Sequence, residues 1–278
     1  MRRADAHIHL FKPGYADQLP TSCRRHDPSE LTLYTAYAER YQITAALVVG
    51  YEGQPWAEGN NRYLAGLVAA HAWVRPTAFL FPAVLTVSTL EQLQREGFVG
   101  ISLYLFTADD LRALGEVAEA VWRWLAQQRW LVSVNSRGEA WSAWLPILER
   151  QPELRLLISH LGLPPRCAVA PGPEAMAALR PVLALARFPH SYVKLSGFYA
   201  LSDPGYDYPH RSAWPYVTEL VTAFGPHRLL WGSDYSPSLE WVSFPQTLSL
   251  LEQIPSLDAS VLPLVVGENL LALLASVG

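Results

Sequence analysis

Cysteine is scarce in this chain, with Cys23 and Cys167 the only two among 278 residues. Two cysteines cannot build the disulfide framework of a small secreted protein, so a reducing cytoplasm is the expected compartment. Their separation also differs from the close CxxC pairs of zinc clusters. The sequence therefore excludes a disulfide scaffold and a zinc site made of cysteines.

Basic residues and long apolar runs are also lacking. Lys and Arg number 21 against 25 Asp and Glu, so the net charge is −4 and no basic surface for nucleic acid is expected. No apolar run approaches the length of a membrane span. Asp5, His7 and His9 lie where a signal peptide would have its apolar stretch, so no signal peptide is expected. We therefore expect a cytoplasmic protein that binds neither nucleic acid nor membranes and acts on a small molecule.

Three common catalytic motifs are missing as well. The sequence has no glycine-rich Walker loop and no GxGxxG after a strand. The segment 231–235 reads WGSDY and lacks the second glycine of a GxSxG nucleophile elbow. Nucleotide-binding loops and a serine-hydrolase elbow are thus excluded.

What the chain does contain is an opening strand with two closely spaced histidines. Asp5, His7 and His9 are two residues apart, which predicts that all three point to one face of the strand. The other face is then formed by Ala6, Ile8 and Leu10. Two buried neighbouring imidazoles are costly unless a metal or a polar substrate satisfies them. Bonding to backbone and water is the alternative reading of this motif.

Strand-like and helix-like runs alternate along the whole chain. Strands are predicted at 3–9, 43–50, 77–83, 98–105, 130–135, 154–159, 191–196 and 228–233. Amphipathic helices are predicted between them, for example at 31–41, 111–127, 174–187 and 214–224. Eight such units predict an α/β fold, a (β/α)₈ TIM barrel forming a single domain over 1–278. An extra C-terminal helix within 261–277 is expected to close one end.

Polar residues follow many of the predicted strands. The carboxyl ends of barrel strands converge on one mouth, where barrel enzymes build their sites from long loops. The candidates, besides His7 and His9, are Ser102, Tyr104, Ser133, Asn135, His160, Lys194, Ser196 and Asp234. Each has an ordinary alternative: His160 as a bonded core histidine, Asp234 as a turn or helix cap, Lys194 as a rim residue. Their convergence on one mouth favours a functional site.

Four segments together resemble a known family. They are 5–11, 158–164, 193–197 and 231–235, which read DAHIHLF, ISHLGLP, VKLSG and WGSDY. They resemble the amidohydrolase-related family of TIM-barrel hydrolases, and most of all its lactonase branch, with fuconolactonase-like and 2-pyrone-4,6-dicarboxylate lactonase-like enzymes. The segment 267–274, GENLLALL, is similar to the closing helix of that family. The likeness spans the whole chain.

The resemblance implies roles for particular residues. His7 and His9 match the histidine pair of the first strand, His160 the sixth-strand histidine, and Asp234 the eighth-strand aspartate. His7, His9 and Asp234 are then the ligands of a divalent metal, zinc above all, in a branch that also includes metal-independent enzymes. Asp234 and His160 are the expected catalytic residues. The expected substrate-binding residues are Tyr104, Asn135, Lys194, Ser196 and His210.

Three departures from the family pattern bear on the chemistry. Asn135 stands where metal-dependent relatives usually have a fifth-strand histidine, which predicts a weaker metal site. Ser159 replaces an aspartate that often precedes the sixth-strand histidine. Ser102 and Tyr104 occupy the fourth strand, where lactonases of acidic substrates often carry arginine.

Three functions remain open from the sequence. The first is a hydrolase that opens a lactone or similar cyclic ester with Asp234 as general base. The second is a metal-dependent decarboxylase of an unsaturated carboxylic acid on the same barrel. The third is a catalytically silent barrel that binds a small ligand. The sequence gives no indication of the oligomeric state.

Overall fold

The computed structural model describes residues 2–19 and 29–278, so Cys23 and His26 lie outside the described residues. Within this part, eight parallel strands form one sheet in the order β1 to β8. They are β1 Arg3–Ile8, β2 Ile43–Val49, β3 Val74–Phe79, β4 Gly100–Leu105, β5 Leu131–Ser136, β6 Arg155–Ile158, β7 Ser191–Leu195 and β8 Leu229–Trp231. Ile8 and Tyr235 form a parallel bridge, and the Asp234 N–H donates to the His7 carbonyl at 2.8 Å. The sheet thus closes on itself, and the predicted (β/α)₈ TIM barrel is confirmed.

Helices surround the strands and close one end of the barrel. In the described ranges they are α1 Glu30–Tyr41, α2 Asn60–Val68, α3 Val87–Arg95, α4 Ala108–Glu116, α5 Glu119–Gln127, α6 Leu145–Arg150, α7 Pro173–Ala177, α8 Arg180–Ala184, α9 Phe198–Leu201, α10 Trp214–Phe224, α11 Phe244–Ser249 and α12 Asn269–Ala275. Local signals set several of their ends. Thr107 and Asp110 form a capping box at the start of α4, and α10 ends at Gly225, where φ is +69°. None of the described helices combines the length and the apolar character needed to cross a membrane.

Two separate clusters of apolar side chains define the inside and the outside of the barrel. One small cluster joins residues of β1, β2 and β8 to residues of β5 and β6 on the opposite side of the barrel, so it fills the barrel interior. Leu270 and Leu273 of α12 belong to it, so the C-terminal helix plugs the amino end of the barrel. The larger cluster lies between the sheet and the surrounding helices. The opposite, carboxyl end of the strands is therefore the open one.

The third strand is displaced from its predicted position. The prediction placed it at 77–83, but β3 runs over Val74–Phe79 and includes Pro76. Proline lacks an N–H and is uncommon inside the strands of a sheet. Here the Pro76 carbonyl still accepts from the Val99 N–H at 2.9 Å, and Pro82 begins a short 3₁₀ turn. The strand consequently tolerates the proline and ends three residues before the next one.

Two predicted helices are shorter than their hydrophobic spacing suggested. The stretch 111–127 contains α4 and α5, separated by Val117 and Ala118 with ψ of 127° and 136°. The stretch 174–187 contains α7, α8 and a 3₁₀ turn. Apolar spacing continues across such breaks, so periodicity alone cannot locate them. The predicted terminal helix within 261–277 is continuous by contrast, because a π-helical turn at Leu264–Glu268 leads directly into α12.

An irregularity in β1 corrects the predicted faces of the first strand. The register with β2 shifts between Asp5 and Ile8. Ala6 consequently packs in the inner cluster, whereas Ile8 packs in the outer one, so these two residues do not share a face. Asp5 faces the helical layer and accepts a hydrogen bond from the Tyr34 hydroxyl of α1 at 3.1 Å. A one-residue shift reverses the direction of all later side chains, and here it turns His7 and His9 inward without Asp5.

Candidate active site

The structure brings three potential metal ligands together at the open end of the barrel. His7 is the penultimate residue of β1, His9 directly follows the strand, and Asp234 lies three residues after β8. The His7 and His9 Nε2 atoms are 3.1 Å apart. The Asp234 Oδ1 atom lies 3.6 Å from His7 Nε2 and 3.8 Å from His9 Nε2. All three side chains are buried.

This donor set fits a divalent cation such as zinc. Tetrahedral zinc with bonds of about 2.0–2.1 Å holds neighbouring ligand atoms roughly 3.4 Å apart, close to the three distances here. His9 Nδ1 lies 2.8 Å from the Val49 carbonyl, which can only accept, so this nitrogen carries the proton. The His9 Nε2 lone pair is therefore directed at the site, as a metal ligand requires.

Lys194 lies beneath the histidines rather than in the mouth. Its Nζ donates to Ser133 Oγ at 2.7 Å and lies 3.4 Å from His7 Nδ1. Burial lowers the pKa of Lys194 to about 7. In its neutral form Lys194 can accept from His7 Nδ1–H, which leaves the His7 Nε2 lone pair free for a cation. Lys194 thus supports His7, and Ser133 fixes the lysine.

His160 completes the group of histidines. Its Nδ1 is 3.0 Å from Ser196 Oγ and 4.0 Å from Asp234 Oδ2, and its ring lies 4.5 Å from that of His7. Burial lowers the pKa of His160, so the neutral ring is favoured. His160 and Asp234 both have positive φ, 53° and 55°. Such backbone is disfavoured for residues other than glycine and is found preferentially at functional sites.

Gly197 makes room for the His160 ring. Its φ is +65°, and a Cβ there would lie 2.5 Å from His160 Nδ1. We expect Gly197→Ala to lower both activity and the free energy of unfolding, because left-handed backbone costs alanine roughly 1–2 kcal/mol and the methyl group must also displace His160. Gly59→Ala is the matched control, since Gly59 has φ +79° but no atom within 4 Å of the added Cβ. Urea unfolding and turnover of both variants test this, and equal effects in both would contradict it.

Tyr199 was not predicted as a partner of Asp234. It lies in α9, just after β7, and its hydroxyl donates to Asp234 Oδ2 at 2.6 Å. Burial and the neighbouring carboxylate raise the pKa of Tyr199, so the phenol keeps its proton. Its ring lies nearly parallel to that of Trp241, with centroids 6.0 Å apart. The sequence places an aromatic residue after the VKLSG segment, but nothing local links it to an aspartate 35 residues later.

The buried carboxyl group of Asp5 and the half-buried one of Glu30 hold β1 and the segment after β8 together. Asp5 Oδ1 accepts from the N–H groups of His7 and Ser233, and burial raises the pKa of Asp5 to about 7. Glu30 accepts from the N–H groups of Phe11 and Tyr15 and, at 2.6 Å, from the Ser236 hydroxyl. The loops that carry His9 and Asp234 are therefore fastened to each other. Glu30 was not predicted, because its partners lie on distant loops.

Most of the predicted substrate-binding residues lie close to this group, but not in equivalent places. A cavity of about 370 Å³ opens over His9, His160 and Asp234, and Asn135 and Tyr104 line it. Its volume is in the range of small-molecule sites. Lys194 and Ser196 are buried below it and contact the histidines. His210 lines a separate cavity of about 20 Å³, and this placement argues against the predicted direct contact with substrate.

Comparison with known proteins identifies the family. A family model described as amidohydrolase matches residues 4–274, almost the entire chain. The chain belongs to the amidohydrolase family. The predicted resemblance is therefore confirmed, and the hydrolase class with it.

Lactone hydrolases are among the relatives of this amidohydrolase. A 4-sulfomuconolactone hydrolase from Rhizobium radiobacter is 25% identical over 247 residues, which cover 84% of this chain and 75% of the relative. An L-fucono-1,5-lactonase from Burkholderia ambifaria is 35% identical over 96 residues, 34% of this chain and 31% of that one. An amidohydrolase from Burkholderia multivorans, solved with bound zinc, superposes with a TM-score of 0.80 at 19% identity over 99% of this chain and 100% of the other. At this low identity, the similarity to the Burkholderia multivorans structure shows a shared fold only.

Proposed function

We propose that this amidohydrolase opens a lactone or similar cyclic ester, and that residues 1–278 do so as one domain. The observation that carries the proposal is the contact of Asp234 with His7, His9 and His160 under a cavity large enough for one ring. The names of the two lactone-hydrolysing relatives support the reaction class. A carboxylate among neutral imidazoles suits water-dependent ester cleavage, which needs a base and groups that stabilise an oxyanion.

In the proposed reaction, Asp234 acts first as base and then as acid. It removes a proton from the attacking water as the oxygen bonds to the lactone carbonyl carbon. The C–O bond of the ring then breaks, and Asp234 returns the proton to the leaving alkoxide. His160, 4.0 Å from the Asp234 carboxylate, orients the carbonyl by hydrogen bonding. The product is the ring-opened hydroxy acid.

We further propose that His7, His9 and Asp234 hold zinc. Such an ion supplies Lewis-acid polarisation of the carbonyl and lowers the pKa of bound water. The chain's own residues keep the ligands in position: Val49 fixes the tautomer of His9, Lys194 supports His7, and Tyr199 holds Asp234 Oδ2. These contacts matter because they set the orientation of the three ligand side chains.

A substrate panel tests the reaction class directly. Lactones and unsaturated carboxylic acids are incubated with the enzyme, and acid release and carbon dioxide are both measured. Lactone hydrolysis gives acid without carbon dioxide. Carbon dioxide release would instead support the decarboxylase reading, and a chain inactive on the whole panel would support a silent barrel.

Tyr199→Phe tests the orientation of the carboxylate. The variant keeps the ring beside Trp241 but removes the donor to Asp234 Oδ2. We expect kcat to fall by about 10- to 100-fold with little change in KM, as for other outer contacts of catalytic groups. Tyr208→Phe is a matched control, since that hydroxyl bonds Ser249 and Gln253 instead. An unchanged kcat in Tyr199→Phe would show that Asp234 needs no such partner.

A further inference from the structure

A tryptophan outside the mouth cavity packs against the tyrosine that holds Asp234. We infer that Trp241 is a positioning residue, which keeps the Tyr199 hydroxyl directed at the Asp234 carboxylate. The effect of Trp241 on turnover rests on the proposed role of Asp234 as the base, whereas its effect on the geometry does not. Three features carry the inference: the parallel packing of the two rings, a backbone connection between Trp241 and Asp234, and a glycine that lies against both aromatic residues.

The Tyr199 ring needs support from outside its own helix. Tyr199 lies in α9, which is a single turn, and it lines both the mouth cavity of about 370 Å³ and the separate cavity of about 20 Å³. Open space therefore adjoins this residue on two sides. The Trp241 ring lies against it, with 7° between the ring planes and 6.0 Å between the centroids. Offset parallel packing is a favoured arrangement of aromatic pairs, so it stabilises one orientation of the phenol.

The turn that carries Trp241 is bonded to the backbone of Asp234. The Ser238 N–H donates to the Asp234 carbonyl at 3.0 Å, and the Trp241 N–H donates to the Ser238 carbonyl at 3.0 Å. The Tyr199 hydroxyl in turn donates to Asp234 Oδ2 at 2.6 Å. These contacts connect the backbone of Asp234 to its own carboxylate through Trp241 and Tyr199. The direction of the carboxylate is consequently set by the turn after β8 as well as by α9.

Gly205 lies against both aromatic residues. A Cβ at this position would lie 2.8 Å from Trp241 Cε3 and 2.9 Å from the Tyr199 carbonyl oxygen. Both distances are shorter than the contacts that side-chain carbons make, so only glycine allows the backbone to approach the indole and α9 together. This close approach confines the indole to the place where it faces Tyr199.

A double-mutant cycle tests whether Trp241 acts through the Tyr199 hydroxyl. We expect Trp241→Leu to lower kcat about three- to tenfold, the range that one aromatic pair accounts for, with little change in KM. In the Tyr199→Phe background the same change should alter kcat by less than about twofold, because no hydroxyl is left to direct. Trp241→Phe keeps an aromatic ring and should hold kcat within about twofold of the parent. Unchanged kcat in Trp241→Leu, or equal falls in both backgrounds, would overturn the inference.

A matched tryptophan separates positioning from a general loss of stability. Trp124 is half-buried in the outer layer of helices and packs on Trp130 with ring centroids 5.0 Å apart. Trp124→Leu should lower the free energy of unfolding and leave kcat unchanged. Trp241 is 39% exposed, so we expect its replacement to leave a folded enzyme.

Gly205→Ala repeats the cycle if Trp241→Leu does not fold. The added methyl group must displace the indole or α9, so we expect kcat to fall in the parent but not in the Tyr199→Phe background. Equal falls in both backgrounds would again overturn the inference. Gly172→Ala is the matched control, since a Cβ there would meet no atom within 4 Å.

Crystal structures of the parent and of Trp241→Leu separate this inference from the proposed reaction. We expect the bond between the Tyr199 hydroxyl and Asp234 Oδ2 in the parent, and its loss or a second orientation of the phenol in the variant. A parent that hydrolyses no lactone would overturn the proposed function, and the two structures would still decide the role of Trp241. An unchanged bond in Trp241→Leu would overturn the inference and leave lactone hydrolysis standing.

Discussion

Replacing Asp234 with asparagine should lower kcat for lactone hydrolysis by at least about 10²-fold, a typical contribution of a general base. The amide keeps the shape of the side chain and an oxygen that accepts from Tyr199, which donates to Asp234 at 2.6 Å. It cannot take the proton of the attacking water, and it is a poorer metal ligand. Steady-state kinetics of the purified variant measure the effect.

Thermal unfolding separates catalysis from support of the fold in this variant. If Asp234 only shaped the turn after β8, the change would lower the melting temperature and leave kcat intact. We expect the reverse, because the neighbouring backbone bond from the Asp234 N–H to the His7 carbonyl is retained. Asp258→Asn is a matched control, because Asp258 accepts from the N–H groups of Ser260 and Val261 in an exposed turn that does not line the cavity, and it should leave kcat unchanged. An Asp234→Asn variant that works at the parent rate would refute the proposed mechanism.

The second large effect is expected on metal binding. His9→Gln removes one of three ligand atoms, and we expect the dissociation constant for zinc to rise by at least about 100-fold, since even outer contacts of a metal ligand are worth 10- to 100-fold. Competition with a chromogenic chelator measures the constant. His227→Gln, the same change at an exposed histidine, should leave zinc affinity unaltered. Equal affinity of parent and His9→Gln would place the metal elsewhere or remove it from the mechanism.

The parent enzyme should hold its metal loosely. The described ligand group comprises His7, His9 and Asp234. Asn135 lines the cavity near the end of β5, at the position where metal-dependent relatives usually have a further histidine ligand. We expect elemental analysis of protein purified without added metal to give less than one zinc per chain. Chelation should abolish activity, and added zinc should restore it. Stoichiometric metal that survives prolonged chelation would contradict the loose site.

Several features of the site were accessible from the sequence because they are encoded over short distances. Apolar strands such as β2, followed by amphipathic stretches, predict the barrel, and a barrel fixes which strand ends share a mouth. That geometric rule is why His7, His160 and Asp234 could be grouped although they are up to 227 positions apart. The same rule explains why Asn135 and Tyr104 line one cavity.

Other features depend on contacts that no local pattern encodes. Alternation along the first strand predicted Asp5 beside His7 and His9, but the shift in register with β2 turned Asp5 toward α1. His210, predicted at the substrate, lines a separate small cavity because the path of its loop, rather than its composition, decides where the ring lies. Loop paths follow from packing against distant elements, so composition predicts them poorly.

The sequence by itself determined the barrel, its open end and the chemical types gathered there, because strand and helix periodicities are local and the parallel sheet converts them into a common mouth. Only the tertiary structure decided how the groups are held. Tyr199 meets Asp234, Lys194 lies under His7, Glu30 ties two loops together, and Gly197 leaves space for His160. Each of these contacts joins residues from different βα units, and the two that link β1 or its loop to β7 or to the segment after β8 form only once the barrel has closed.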